Sequence, residues 1–63
     1  MYRIIGTTDK QHIGDVVAIV PMSSLEVTLG DGQVMEVVKW LQVSENIFKA
    51  FNYNYTILIE EVA

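Results

Sequence analysis

Residues 55–59 read YTILI, inside the closing segment YNYTILIEEV (residues 53–62) of a 63-residue chain. A strand on the skin of a small domain alternates, apolar inward and polar outward. Ile57, Leu58 and Ile59 instead put apolar side chains on both faces. Three arrangements would cover the second face. The segment is a central strand under a lid, or an edge strand that pairs with its own copy across a two-fold axis, or the docking strand for a different protein. The remaining sequence decides how much lid the chain can make for itself.

It makes little. SENIFKAF (residues 44–51) reads as a short helix, with Ser44 as N-cap, Glu45 in the first turn, and Ile47, Phe48 and Phe51 gathered on one side. Two turns of helix do not survive alone, so Phe48 and Phe51 must plug into the sheet. Asn52 suits the exit turn. One such lid cannot also cover VVAIV (residues 16–20), a β-branched run bounded by Asp15 and Pro21 that fits a strand buried on both faces. A homo-oligomer is therefore expected, with the aromatic cluster and the closing strand at the protein interface: Trp40, Tyr53, Tyr55, Ile57 and Ile59.

The other elements follow from local pattern. YRIIGT (residues 2–7) is a short first strand, and the polar run TDKQHIGD after it is a loop. LEVTL (residues 25–29) alternates cleanly, with Leu25, Val27 and Leu29 inward and Glu26 and Thr28 outward. Gly30-Asp31-Gly32 is a hairpin loop with a bulge, because glycine supplies the positive φ that such loops require. QVMEVVKWLQV (residues 33–43) fits a helix at Val34, Val37, Val38 and Leu41, with Asp31 as N-cap, but four valines and a tryptophan just after a hairpin turn favour a strand. The predicted fold is mainly β: four to five strands in a small barrel or bent antiparallel sheet, of the general shape shared by SH3-like barrels and OB-folds, with one short helix near residues 44–51.

Size and composition bound the function. Sixty-three residues make one domain, and a chain this short draws only a few kcal/mol from its own core. It has no cysteine, so disulfides and thiolate metal sites are excluded, and a lone His12 cannot build a zinc site. No cofactor is indicated. The hydrophobic fraction of 51% is high for so small a body and points to apolar surface meant for another chain. Four Lys and Arg stand against eight Asp and Glu. Arg3, Lys10, Lys39 and Lys49 are scattered along the sequence, with no basic stripe, so nucleic acid is an unfavoured partner. The opening MYRIIGTTDK lacks the charged and apolar regions of a signal peptide. No apolar run approaches the ~20 residues that span a membrane. A soluble, cytoplasmic protein is expected.

Catalytic constellations are thin. His12, flanked by Asp9 and Asp15, is the one imidazole, and Thr7, Thr8, Ser23 and Ser24 are the hydroxyls that could serve as nucleophile. Nothing in the sequence brings them together, and His12 reads as a solvated loop residue. Glu60 and Glu61 are adjacent, so on a strand they face opposite sides and blunt a strand end. The expected function is a non-catalytic interaction or assembly module, a subunit or accessory of a larger complex such as a viral particle. Two alternatives come from other classes. One is an acidic inhibitor that imitates nucleic acid and fills a basic cleft. The other is a single-strand nucleic-acid binder that stacks bases on Trp40, Tyr53 and Tyr55.

Overall fold

The computed structural model describes residues 1–8 and 10–62. Seven strands form among them: β1 (Tyr2–Thr7), β2 (Val16–Val17), β3 (Glu26–Thr28), β4 (Val34–Glu36), β5 (Lys39–Gln42), β6 (Ile47–Phe51) and β7 (Thr56–Glu61). They make a five-stranded antiparallel sheet in the order β2-β1-β7-β6-β5 and a two-stranded sheet, β3-β4. The closing segment is the middle strand of the larger sheet. It pairs Ile4 with Ile59 on one side and Phe48 with Ile59 on the other. Both its ladders are filled, so the edge-strand arrangement does not hold.

β7 alternates after all. Ile57 and Ile59 are fully buried, while Thr56, Leu58 and Glu60 turn to the other face and stay half-buried. The core lies between the two sheets. Ile4, Val17, Ala50, Ile57 and Ile59 come from the larger one, and Val27, Leu29, Met35 and Val37 from the hairpin and its flanks. Tyr2, Trp40 and Phe48 pack at its margin, with the Tyr2 and Phe48 rings edge to face at 6.2 Å.

The helix expected near residues 44–51 is absent; Ile47–Phe51 is β6. Its sequence also has period two, with Phe48 and Ala50 toward the core and Ile47, Lys49 and Phe51 away. A helix of two turns gains few internal hydrogen bonds, whereas β6 gains a ladder on each side, to β5 and β7. Ser44 and Glu45, taken as cap signals, lie in the turn between strands. The amides of Val43 and Ser44 both donate to the Ile47 carbonyl there. Asn52 does serve a turn: its amide donates to the Tyr55 carbonyl, and its side chain donates to the Glu36 carbonyl.

Residues 33–43 hold strand and no helix, as the valines indicate, but Val34–Glu36 and Lys39–Gln42 divide between two sheets. The Val37 amide donates to the Leu25 carbonyl and the Val38 amide to the Phe51 carbonyl. The chain thus passes from the hairpin to the large sheet at a bend. Inward parity shifts across the bend, from Met35 and Val37 to Trp40, and leaves Leu41 and Val43 exposed. That bend adds one strand to the expected count, and β6 in place of the helix adds another, giving seven.

The hairpin loop matches its sequence reading. The Gly32 amide donates to the Leu29 carbonyl at 3.0 Å, Gly32 takes φ 89°, and the Asp31 carboxylate accepts from the Gln33 amide. VVAIV does not match. Only Val16–Val17 is strand, Val17 alone is fully buried, and Val20 is exposed. Pro21 turns the chain, and Val20 spends its amide on the Ser24 hydroxyl and its carbonyl on the amides of Ser23 and Ser24. Leu25, expected inward, is 77% exposed because the strand begins only after this turn.

No hydrogen-bonded ladder among the described residues joins β2 to β3. The link there is Asp15, whose Oδ2 accepts from the Gly30 amide at 2.9 Å and lies 3.1 Å from His12 Nδ1. A Cβ on Gly30 would stand 2.6 Å from Asp15 Cγ, so any larger residue there would push the Asp15 carboxylate out of this position. His12 is 7% exposed. It is a buried member of this tie and not a solvated loop residue, because its ring needs a partner once removed from water.

Candidate interaction surface

The face of the large sheet that points away from the core is built by strand parity. From β2 comes Val16 and from β1 Arg3, with Ile5 standing out at a bulge between Ile4 and Gly6. Thr56, Leu58 and Glu60 come from β7, Ile47, Lys49 and Phe51 from β6, and Lys39 and Leu41 from β5. The register sets Leu58 between Gly6 and Lys49, and Phe51 between Lys39 and Thr56. Leu58 lies over Gly6, its Cδ2 3.8 Å from where a Cβ there would sit. No helix or strand among the described residues crosses this face.

The same parity concentrates positive charge. Arg3, Lys39 and Lys49 are three of the four cations in the sequence, and all three are on this face. They are far apart along the chain, so the sequence shows no basic stripe; pairing the strands makes one. The ammonium groups of Lys39 and Lys49 stand 5.8 and 5.5 Å from the centroid of the Phe51 ring. Each gains a cation–π attraction of about 0.5–1 kcal/mol at an exposed site, and the two cations are held around one ring despite their mutual repulsion. Among the described residues no lysine or arginine has a carboxylate within 4 Å; the one such pair is His12 with Asp15. Arg3 and Glu60 are cross-strand partners by register without closing that distance.

The residues expected at an interface are dispersed. Ile57 and Ile59 are core and present no surface; the half-buried neighbour that takes their place on the outer face is Leu58. Trp40 faces the core, and its indole N–H donates to the Ser24 carbonyl at 2.7 Å. Tyr55 packs against the core, and Tyr53, 82% exposed, sits in the β6–β7 turn. Trp40, Tyr53 and Tyr55 therefore form no common stacking platform. Phe51 and Leu41, which sequence reasoning left out, lie at the centre and edge of the outer face. The signal for Phe51 was the period-two pattern of residues 47–51, hidden by the helix reading; Leu41 is turned outward by the bend before β5.

Two of the hydroxyls considered beside His12 belong to another turn. Ser24 accepts from the Val20 amide, and Ser23 is in the exposed turn with it. Asp9 lies outside the described residues. Glu60 and Glu61 do face opposite sides, toward Arg3 and Tyr2 respectively. No helix of the described residues is long and apolar enough to cross a membrane. No family model matches the sequence, and neither a curated protein nor a solved structure matches it.

Proposed function

We propose that the protein is a non-catalytic interaction and assembly module that works as a homo-oligomer, as a subunit or accessory of a larger complex. The observation that carries this reading is the outer face of the large sheet. Val16, Ile5, Leu58, Phe51 and Leu41 run across it, with Leu41 47% exposed at the β5 edge. Apolar side chains gathered on one face, interleaved here with Lys39 and Lys49, mark a binding site more often than plain solvent-facing surface. The chain exposes 4041 Å² in all. A standard interface takes about 800 Å² from each partner, roughly a fifth of that area. Only a whole sheet face supplies so large a patch on so small a body. The interface is accordingly assigned to Leu41, Phe51 and Leu58 with Lys39 and Lys49 among them, and Tyr53 at its rim.

The finer architecture is read as an open barrel of SH3-like or OB-like shape. The bend at Val38 carries one strand from sheet to sheet, and the Asp15–Gly30 bond spans the seam between β2 and β3.

Light scattering on a sizing column, run over a hundredfold range of concentration, tests the assembly. The expected result is a mass of two or more chains that falls on dilution. A single-chain mass at every concentration would contradict it.

A further inference from the structure

The proposed assembly has a direction, and charge sets it. The outer face carries Arg3, Lys39 and Lys49 against Glu60, a formal charge of +2, in a chain of net charge −4, so the remainder carries −6. The two ammonium groups around Phe51 have no carboxylate partner among the described residues. Turned toward a two-fold mate, this face would meet its own cations. Like charges brought together at an interface cost several kcal/mol, so a symmetric face-to-face dimer is disfavoured.

A complementary face exists on the same chain. On the solvent side of the β3–β4 hairpin, Glu26 stands directly across from Glu36, and Thr28 across from Val34. All four are exposed. Two carboxylates in directly opposed positions destabilise a strand pair, and nothing among the described residues neutralises them. Val34, two residues along β4 from Glu36 and exposed on the same face, leaves the patch both acidic and apolar. It is the opposite in charge, and the like in apolar content, of the sheet face.

Resting on the assembly reading above, we propose that a second copy of this chain is the occupant of the sheet face and docks there through its hairpin. Glu26 and Glu36 of one copy meet Lys39 and Lys49 of the next, and Val34 lies against Phe51 and Leu41. Such a contact joins two different faces, so it is heterologous: copies add head to tail, closing a ring if the rotation permits and growing a filament if not. Both copies gain, since the lysines acquire anions and the opposed glutamates acquire cations. Raising salt weakens the contact, because the pairs lie at a partly solvated surface.

Two charge reversals test this. Lys49→Glu spoils the sheet face and leaves the hairpin intact; Glu36→Lys spoils the hairpin and leaves the sheet face intact. Both positions are on strand surfaces, and circular dichroism confirms that each variant keeps its β signal. Each variant alone is expected at single-chain mass, with self-association weakened at least tenfold. Mixed in equal amounts, the intact hairpin of the first meets the intact face of the second. The mixture is then expected to associate into complexes of two chains or more. If the wild type assembles while Glu36→Lys and Glu26→Lys assemble as well, the hairpin is not the occupant and the head-to-tail contact falls, with the assembly module left standing. Failure of the mixture to associate overturns it in the same way. If the wild type stays single-chain throughout, both readings fall. A labelled single-stranded oligonucleotide, bound by the wild type and lost with Lys49→Glu, would then assign the cationic face to nucleic acid.

Discussion

Ile59→Ala is expected to leave the chain largely unfolded at 25 °C. Ile59 is fully buried at the centre of the middle strand, paired with Ile4 and Phe48 on its two flanks. Removing a buried isoleucine down to alanine costs about 2–5 kcal/mol, with the cavity adding to the lost transfer energy. A single core in a domain of this length rarely supplies more than about 3–5 kcal/mol. The loss is therefore comparable to the whole stability. Ile57→Lys and Ile59→Lys go further, because each buries an ammonium with no partner. Urea denaturation followed by circular dichroism reads all three. A cooperative transition close to the wild-type midpoint would show that these side chains are not in the core.

Leu58→Lys is expected to do the opposite: to keep the fold and lose the assembly. Leu58 is the neighbour of both isoleucines in sequence, yet it points to the outer face and lies over Gly6. Lysine can run its methylenes along the sheet and keep its ammonium in water. The stability change is expected within about 1 kcal/mol, somewhat beyond the ~0.5 kcal/mol of fully exposed sites because Leu58 is half-buried. Association is expected to fall by tenfold or more, since Leu58 gives up apolar contact at the middle strand of a face that must be desolvated and lysine keeps its ammonium in water. An oligomer that survives Leu58→Lys unchanged would remove the central side chain from the proposed contact. Adjacent positions of one strand thus separate folding from assembly, a distinction that depends wholly on strand parity.

Parity also explains what could be read from the sequence. LEVTL and Gly30-Asp31-Gly32 announce a hairpin by local chemistry alone, and the observed bonds at Leu29, Gly32 and Gln33 agree. YRIIGT and the closing segment were legible as strands for the same reason. Residues 44–51 were not, because Phe48 and Phe51 satisfy a helical spacing as well as a strand, and only the two neighbouring ladders decide between them. VVAIV looked two-sided, but Pro21 and the turn to Ser24 draw Val20 away from the sheet. His12 looked solvated because the Asp15–Gly30 tie spans fifteen residues of sequence. The grouping of the cations was the least legible feature. Arg3, Lys39 and Lys49 come together only when β1, β7, β6 and β5 lie side by side in one register. The number of apolar residues suggested a second chain; the register shows which of them lie outside the core.

The most direct measurement of whether the outer sheet face is covered is the acetylation rate of individual lysines, followed by mass spectrometry at low and at high protein concentration. Lys39 and Lys49 are expected to slow together as concentration rises, while Lys10, which lies in the loop after β1, keeps its rate. Equal rates at both concentrations for Lys39 and Lys49, in a sample whose mass has grown, would mean that the copies meet elsewhere and would contradict the assignment of that face.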